Sequence, residues 1–199
     1  MRIVRALAAL GLVCSMLAGC VSTPHRPSAP TTPSSWSERR SQLQQLPDFA
    51  LTGRVAIAAG NEGFNARLQW QQREAQSEVA LQGPLGVGGV HIRTDGGALS
   101  VTTTRGESLD SAAAHAELNS RLGFDPPLAS LRYWLLGVPD PATQAMETLN
   151  PQGRLAGLGQ DGWQIDYPAY TEAQGDQLPQ RITLHHGDVR IRLIVDHWQ

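Results

Sequence analysis

The stretch Phe64-Asn65-Ala66-Arg67-Leu68-Gln69-Trp70-Gln71 decides the fold, because apolar and polar side chains alternate strictly along it. Successive side chains of a β-strand point to opposite faces, so a period of two predicts a strand with one buried and one solvated face. We expect the apolar face, with Phe64, Leu68 and Trp70, to line the interior of the domain.

The same alternation recurs on both sides of this stretch. Before it, Leu51 to Ala59 alternates around Val55 and Ile57, and Gly60–Gly63 has the composition of a turn. After it, runs of period two are centred on Val79 and Leu81, Val90 and Ile92, Leu99 and Val101, Trp163 and Ile165, Ile182 and Leu184, and Ile191 and Leu193, and we expect a further strand at Leu155. Short strands joined by glycine-containing turns are typical of an antiparallel meander, and we expect about nine to eleven strands.

Three segments have the helical period instead. The predicted helices are residues 36–46, a segment after Asp110 that runs to about Leu122, and a segment that begins at Leu128 and is closed by Gly137 and Pro139. The first begins with Ser35-Trp36-Ser37-Glu38, which has the form of a capping box, and Asp110 is placed to cap the second. The third carries the stripe Leu131, Trp134 and Leu135 and is so apolar that it should cover another apolar surface.

A sheet of this length rarely stays open and flat, because strand twist makes it curl. We therefore expect an α+β fold, in which a long antiparallel sheet curls into an incomplete barrel and about three helices cover an apolar cavity. Barrels of this size have room for one ligand. The side chains expected to face the interior, some of them around unfilled space, are Val55, Ile57, Phe64, Leu68, Trp70, Leu81, Leu131, Trp134 and Leu135.

The N-terminus has the form of a signal peptide. Arg2 and Arg5 precede Ala6–Leu17, an uncharged stretch that is too short to span a bilayer. The end of this stretch continues into Leu17-Ala18-Gly19-Cys20, which resembles the lipobox of bacterial lipoproteins. In a lipobox the cysteine is lipidated and becomes the first residue of the mature chain. An ordinary secretory peptide with an incidental cysteine is the alternative.

These features divide the chain into a signal peptide at 1–19, a lipidated Cys20 with a Pro-, Ser- and Thr-rich tether at 20–35, and a folded domain at 36–199. Without the signal peptide, the chain has 14 arginines, no lysine and 18 acidic residues, a net charge of −4. This charge argues against nucleic-acid binding. No cysteine follows Cys20, which excludes a disulfide, a cysteine-ligated zinc and a cysteine nucleophile in the folded part.

No constellation of catalytic residues stands out. The motifs G-x-S-x-G and H-E-x-x-H and the P-loop are missing from the sequence. His185 and His186 are adjacent in a predicted strand, so they point to opposite faces and do not easily share a metal. We expect a protein that is not an enzyme and holds no metal and no cofactor apart from the covalent lipid on Cys20.

The segment Gln82–Gly89 differs from an ordinary hairpin turn. Four of its eight residues are glycine, one is proline and none is charged, yet it carries Leu85 and Val87. Glycine and proline exclude a strand interior here. The two apolar side chains are either tucked under the sheet or offered to something apolar outside, and the residues alone leave both open.

Several short motifs, taken in order, resemble the LolB family of outer-membrane lipoproteins. They are Leu51–Val55, Arg67–Gln72, Pro84-Leu85-Gly86, Leu131–Pro139, Trp163–Tyr167 with Tyr170, Leu178-Pro179 and Asp196-His197-Trp198. Together they span the predicted domain from about Phe49 to Trp198. One departure is Val87-Gly88-Gly89, which is richer in glycine than the family pattern.

The resemblance implies that the cavity binds the acyl chains of lipoproteins in transit. It implies a lipid-anchored protein on the periplasmic face of the outer membrane, which accepts client lipoproteins from a periplasmic LolA-like carrier and inserts them into outer-membrane lipid. Pro84, Leu85 and Gly86 would form the membrane-insertion loop. We expect a monomer.

Two other functions remain possible at this point. One is a non-catalytic outer-membrane lipoprotein that serves as a scaffold for an envelope machine, which would have a filled interior. The other is a periplasmic hydrolase with a site spread over loops, which would turn over esters or glycosides.

Overall fold

The structure is a computed structural model that describes residues 35–84, 89–103 and 106–199. Within these ranges the chain forms three helices and eleven strands. In chain order they are α1 (Trp36–Gln44), β1 (Asp48–Ala59), β2 (Glu62–Arg73), β3 (Gln76–Gln82), β4 (Gly89–Asp95), β5 (Ala98–Thr103), β6 (Ser108–Asp110), α2 (Ser111–Leu122), α3 (Leu128–Leu135), β7 (Ala145–Leu149), β8 (Leu155–Gln160), β9 (Trp163–Ala173), β10 (Asp176–His186) and β11 (Val189–Trp198).

All eleven strands form one antiparallel sheet in the order β6-β5-β4-β3-β2-β1-β11-β10-β9-β8-β7. Strands that follow one another in the chain are neighbours in the sheet, and the first and last strands, β1 and β11, pair at its centre. The edge strands β6 and β7 do not pair with each other in the described part of the chain, so the sheet is not closed. The predicted α+β class and incomplete antiparallel barrel are confirmed.

The strand register places the apolar residues of the central strands on one face. Val55 of β1 lies opposite Ala66 of β2, and Leu68 of β2 lies opposite Leu81 of β3. Residues directly opposite each other project from the same face of a sheet. The apolar sides therefore join into one inner face, which α2 and α3 cover.

The pairing of β1 with β11 is irregular where the two strands meet beside Gly53. Thr52 lies opposite His197 and Gly53 opposite Val195, which leaves Asp196 without a partner in the ladder. A β-carbon on Gly53 would lie 2.3 Å from the carbonyl oxygen of Ile194. Glycine is therefore required here because the two backbones approach closely.

Of three predicted signals at the ends of α1 and α2, the structure contains two. The predicted capping box of α1 is present, since Ser35 Oγ accepts from the Glu38 amide at 3.3 Å and Glu38 accepts from the Ser35 amide at 3.0 Å. Gly123 ends α2 in the left-handed conformation at φ 79°. Asp110 occupies the N-cap of α2, but its side chain makes no capping hydrogen bond.

Helix α1 ends at Gln44, two residues earlier than predicted, and lies across the sheet at the end where β10 begins. Its buried Arg39 pairs with Asp176 and donates to the carbonyl of Gln177. Arg40 forms a 2.9 Å ion pair with Glu147 on β7. These contacts fix the start of the described domain to two distant strands.

The sequence did not predict the two edge strands. β6 has only three residues, which is too short for a recognisable pattern. In β7 the apolar Met146 and Leu149 are exposed while the charged Glu147 is partly buried, so its residue types do not follow its burial.

Some predictions fall on residues that the structure does not describe. Cys20, the signal peptide and the tether lie outside the described residues, and so do Leu85 and Gly86, whereas Pro84 is described. No helix in the described ranges is both long enough and apolar enough to cross a membrane.

We expect Gly53→Ala to lower the free energy of unfolding by about 2–3 kcal/mol, because the new methyl group meets a backbone carbonyl that cannot move aside. Urea unfolding followed by circular dichroism measures this. Gly157→Ala on β8 is the matched control, since its β-carbon would have no neighbour closer than 3.7 Å. Equal stabilities for the two variants would contradict this account of Gly53.

Candidate functional site

An apolar cavity of about 80 Å³ lies between the inner face of the sheet and the helices. All sixteen described side chains that line it are apolar. They are Val55, Ile57, Leu68, Trp70, Val79, Leu81, Ile92, Leu122, Phe124, Pro126, Leu128, Leu131, Leu135, Leu184, Ile191 and Leu193. Since none of these groups donates or accepts hydrogen bonds through its side chain inside the cavity, the space suits hydrocarbon and not a polar ligand.

Sheet and helices contribute to the cavity in different ways. The inner faces of β1 to β4, β10 and β11 form its floor, which follows from the period of two. Leu122 at the end of α2, the linking residues Phe124 and Pro126, and Leu128 and Leu131 of α3 form its roof. The floor residues are mostly buried, whereas Phe124, Leu128 and Leu131 are only partly buried.

Seven of the nine side chains that the sequence assigned to the interior line this cavity. Phe64, which is partly buried, lies instead beside a neighbouring pocket at the start of β2. Trp134 is fully buried but does not line the cavity.

Trp134 lies on the side of α3 that faces β8 and β9. Its indole nitrogen donates to Gln160 Oε1 at 2.8 Å, and its ring centroid is 6.1 Å from that of Trp163. A buried indole N–H needs an acceptor, and the apolar cavity offers none. This explains why the tryptophan of the stripe points away from the space that its helical neighbours line.

Gln160 is the centre of a buried polar network that the sequence analysis missed. Its Oε1 also accepts from the Asp140 amide at 3.0 Å, and its Nε2 donates to the carbonyls of Asp140 at 2.8 Å and Thr143 at 3.1 Å. Asp140 in turn accepts from Ser130 Oγ at 2.8 Å. The signal in the sequence is a glutamine at an inward position of a strand, two residues after the buried Leu158.

Tyr167 provides a second attachment for α3. Its hydroxyl donates to the Trp134 carbonyl at 3.0 Å, and burial raises the pKa of Tyr167 well above its usual value. Together with the Gln160 network, this contact fixes the C-terminal half of α3. Between residues 124 and 131, Asp125 lies 3.0 Å from His115 Nδ1 on α2 in an exposed contact, and Ser130 donates to Asp140. The lining side chains Phe124, Leu128 and Leu131 themselves make apolar contacts.

A larger pocket of about 690 Å³ adjoins the cavity at the end where β3 leads into the Gly83–Gly89 segment. The pocket and the cavity share Ile57, Leu81 and Leu122, so they are contiguous. Phe64 and Pro84 also line this loop-end pocket. Polar side chains at its rim are Glu62, Asn65, Arg121 and Asp188.

The cavity alone is small. Pockets that hold drug-sized ligands measure about 300–1,000 Å³, compared with about 80 Å³ here. An acyl chain therefore enters only if the roof moves or if the chain extends into the loop-end pocket. The roof residues Phe124, Pro126, Leu128 and Leu131 are only partly buried, so moving them outward exposes less additional apolar surface than moving the floor residues would.

The described residues contain no group of three or more His, Cys, Asp or Glu side chains that could hold a metal. His186 stacks on Trp163 at 5.0 Å between ring centroids. Gly157–Gly162 has the spacing G-x-G-x-x-G, but it forms β8 and its turn into the antiparallel β9. A dinucleotide site needs a helix after that motif, so this segment is not one.

The sequence of this chain is similar to those of known outer-membrane lipoproteins. The family model described as "Outer membrane lipoprotein LolB" matches residues 47–198. A LolB from Nitrosococcus oceani is 37% identical over 186 residues, which cover 92% of this chain and 92% of that protein. A LolB from Pseudomonas savastanoi pv. phaseolicola is 32% identical over 187 residues, or 93% and 91% of the two chains.

Solved structures share the fold at much lower identity. A LolA superfamily protein from Nitrosomonas europaea superposes with a TM-score of 0.56 at 12% identity, over 85% of this chain and 94% of that one. A DUF1329 family protein from Desulfovibrio piger gives a TM-score of 0.55 at 7% identity, over 82% and 90%. These two likenesses concern the fold alone.

We expect the domain to lose stability as the pH rises above about 10, the ordinary pKa of tyrosine. Burial raises the pKa of Tyr167, and it also raises that of Tyr170 against the opposing charges of Arg39 and Arg154. A group whose pKa is higher in the folded state stabilises the fold below its unfolded pKa and loses that contribution at higher pH. Above that pH, each tyrosine should lower the free energy of unfolding by about 1.4 kcal/mol per pH unit.

Urea unfolding between about pH 9 and about pH 11 measures this loss. The sequence contains no lysine, so few other side chains titrate in that range. The double variant Tyr167→Phe/Tyr170→Phe is less stable at neutral pH but should show a flatter pH dependence. A slope identical to that of the unmodified protein would contradict the assignment.

Proposed function

The chain belongs to the LolB family of outer-membrane lipoproteins, and from this we propose that it accepts lipoproteins from a periplasmic LolA-like carrier and inserts them into the outer membrane. It binds their acyl chains in the apolar cavity and the contiguous loop-end pocket. The observation that carries the proposal is the lining of the cavity, in which all sixteen described side chains are apolar.

The energetics need no nucleotide. Each methylene group kept out of water contributes about 0.8 kcal/mol, so an acylated protein cannot cross an aqueous space without a cover for its chains. An apolar cavity replaces water by side-chain carbon. Release into a bilayer replaces one hydrocarbon environment by another, so that step is close to neutral.

The roof supplies the room that the chains need. The C-terminal half of α3 is held by the Gln160 network and by Tyr167, so it stays in place. Phe124, Leu128 and Leu131 are partly buried and make their contacts through apolar surface. Their outward movement opens the cavity toward the loop-end pocket and exposes the floor to an incoming chain.

The handover to the membrane takes place at the segment that follows Pro84. Gly83 and Pro84 line the loop-end pocket, so the residues that come next in the chain start at its rim. Leu85 is the apolar side chain nearest to that rim in sequence. It dips into the bilayer and leads acyl chains out of the pocket, and the lipid on Cys20 holds the domain at the periplasmic face of the outer membrane.

The two alternatives have less support. A scaffold needs no internal space, whereas the apolar cavity continues into a pocket of about 690 Å³. A hydrolase needs a nucleophile or a pair of acid–base groups in its cleft, and the described cavity lining carries none.

We expect Leu131→Glu to lower the uptake of a fluorescent fatty acid and of lipoprotein from the carrier by about tenfold or more, because a carboxylate in the lining disfavours hydrocarbon. Leu131 is partly buried, so the new charge can reach water in the empty protein and the fold is retained. Met146→Glu is the control, since Met146 is 78% exposed on β7 and lies outside the cavity. Equal uptake by both variants would refute the proposed binding site.

We expect Leu85→Glu to leave stability and acceptance from the carrier nearly unchanged while membrane insertion fails. An apolar side chain gains about 1.5–3 kcal/mol when it is buried in a bilayer, and a carboxylate loses this. Thermal unfolding, acceptance and insertion into vesicles are measured side by side. If the variant melts at a lower temperature and its folded fraction inserts lipoproteins normally, Leu85 is tucked under the sheet and this assignment is wrong.

A further inference from the structure

The outer face of the sheet carries a group of arginines at its centre. Five arginines, all exposed, come from four adjacent strands, and we call them the arginine face. They are Arg54 on β1, Arg67 on β2, Arg181 on β10, and Arg190 and Arg192 on β11. The sequence has more acidic than basic residues, with a formal net charge of −2. This cluster is therefore a local concentration of positive charge on an acidic protein.

The register brings three of these charges close together. Arg54 lies directly opposite Arg67 across the β1–β2 ladder. Arg192 lies opposite Ala56, two residues along β1 from Arg54. Like charges placed directly opposite each other on neighbouring strands destabilise a sheet, so the fold alone does not favour this arrangement.

The carboxylates on this face do not balance the charge. Arg54 donates to both oxygens of Asp196, at 2.9 Å and 3.2 Å. Within the described ranges, the other four arginines form no ion pair with any residue. Asp166 on β9 lies across the ladder from Thr183, one strand beyond, and is also unpaired in those ranges.

The arginine face adjoins Gly83 and Pro84, which begin the segment Gly83–Gly89 that we assign to the membrane and call the Pro84 segment. A concavity of about 730 Å³ on the outer side of the sheet is lined by Arg54, Arg67 and Arg192 together with Gly83 and Pro84. Arg190 lies opposite Ala58, next to the last residue of β1, at the same end of the sheet. The cationic groups therefore extend from the base of the Pro84 segment along the outer face.

We propose that the arginine face is a binding site for the phosphate groups of anionic phospholipids in the bilayer that the domain is anchored to. This inference rests on the proposed function and adds a membrane contact separate from the acyl-chain site. The planar guanidinium group fits a phosphate through two parallel hydrogen bonds. Four arginines that have no ion-pair partner among the described residues are available for such contacts.

The surroundings of these arginines favour a lipid surface over a protein partner. Most side chains between them are small or polar, among them Ala56, Ala58, Asn65 and Thr183. Ile194, opposite both Arg54 and Arg181, is a larger apolar side chain and is partly buried. Protein interfaces have an apolar core with aromatic residues, which this face lacks among the described side chains. Bound in this way, the domain lies with the Pro84 segment at the bilayer and the mouth of the loop-end pocket close to the headgroups.

A single label on the face tests the proposal. The chain has no cysteine after Cys20, so His185→Cys, which is exposed beside Arg190, can be labelled alone in the lipidated full chain. The labelled protein is reconstituted into vesicles of phosphatidylcholine, with or without phosphatidylglycerol, that carry a headgroup quencher. We expect stronger quenching with phosphatidylglycerol, and a decrease when salt is added.

The variant Arg67→Gln/Arg192→Gln should lose this lipid preference, by about fivefold in the contact equilibrium for each arginine. Arg73→Gln/Arg93→Gln is the control, because both are exposed arginines on the outer face of the sheet but lie at the end away from Pro84. Quenching that is independent of lipid charge, or equal in the two double variants, would overturn the proposal. Unchanged quenching with slower transfer from the carrier would overturn it as well and would assign the face to the carrier.

Uptake of a fluorescent fatty acid separates this result from the proposed function. We expect the Arg67→Gln/Arg192→Gln variant to take up fatty acid like the unmodified protein, since neither arginine lines the cavity. If the unmodified protein takes up no fatty acid but still shows the charge-dependent quenching, the acyl-chain function fails and the phospholipid site stands.

Discussion

The structure depends on covering the apolar inner face of one long sheet. Eleven strands place their buried side chains on one side, and the edge strands leave the barrel open, so α2 and α3 have to keep water from that face. The cover is fixed at one end by polar contacts, in which Gln160 and Tyr167 hold the helix around Trp134. At the other end, the lining side chains around Phe124 and Leu131 rest on apolar surface and leave a space of about 80 Å³, and the polar contact beside Phe124 is the exposed one between His115 and Asp125. A fixed half and an apolar half in one helical cover suit the uptake of hydrocarbon.

Much of the fold could be predicted because burial on one face leaves a period of two in the sequence. The strand that carries Leu68 and Trp70 and the stripe with Leu131 and Leu135 follow this rule and line the cavity. Trp134 is buried as predicted but does not line the cavity. Helical spacing predicts that a residue is buried, but it does not predict where the acceptor for its indole N–H lies. β7 was missed because its apolar Met146 and Leu149 are exposed while Glu147 is partly buried, so residue type does not follow burial there. Gln160 was missed because its partners are brought together only by the fold. Phe124 and Pro126 lie in a link between helices, where composition gives no sign of a role in the roof.

The two faces of the sheet have opposite chemistry, and both meet at the Pro84 segment. On the inner face, the apolar cavity continues into the loop-end pocket, which Pro84 lines. On the outer face, Pro84 also lines the concavity that contains three of the arginines. A bilayer offers both chemistries at one place, phosphate at its surface and hydrocarbon below. In the function that we propose, acyl chains pass from the pocket into lipid with little exposure to water, so their release needs no energy source.

The central claim is that acyl chains occupy the cavity beneath the roof of α2 and α3. Photo-crosslinking tests it most directly, with a client lipoprotein whose acyl chain carries a diazirine, transferred from the carrier and followed by mass spectrometry of the labelled peptides. We predict that the crosslinks map to the cavity lining, on the floor around Leu68 and on the roof around Phe124 and Leu131. Crosslinks confined to the outer face of the sheet, or no crosslinks to this chain after transfer, would contradict the account.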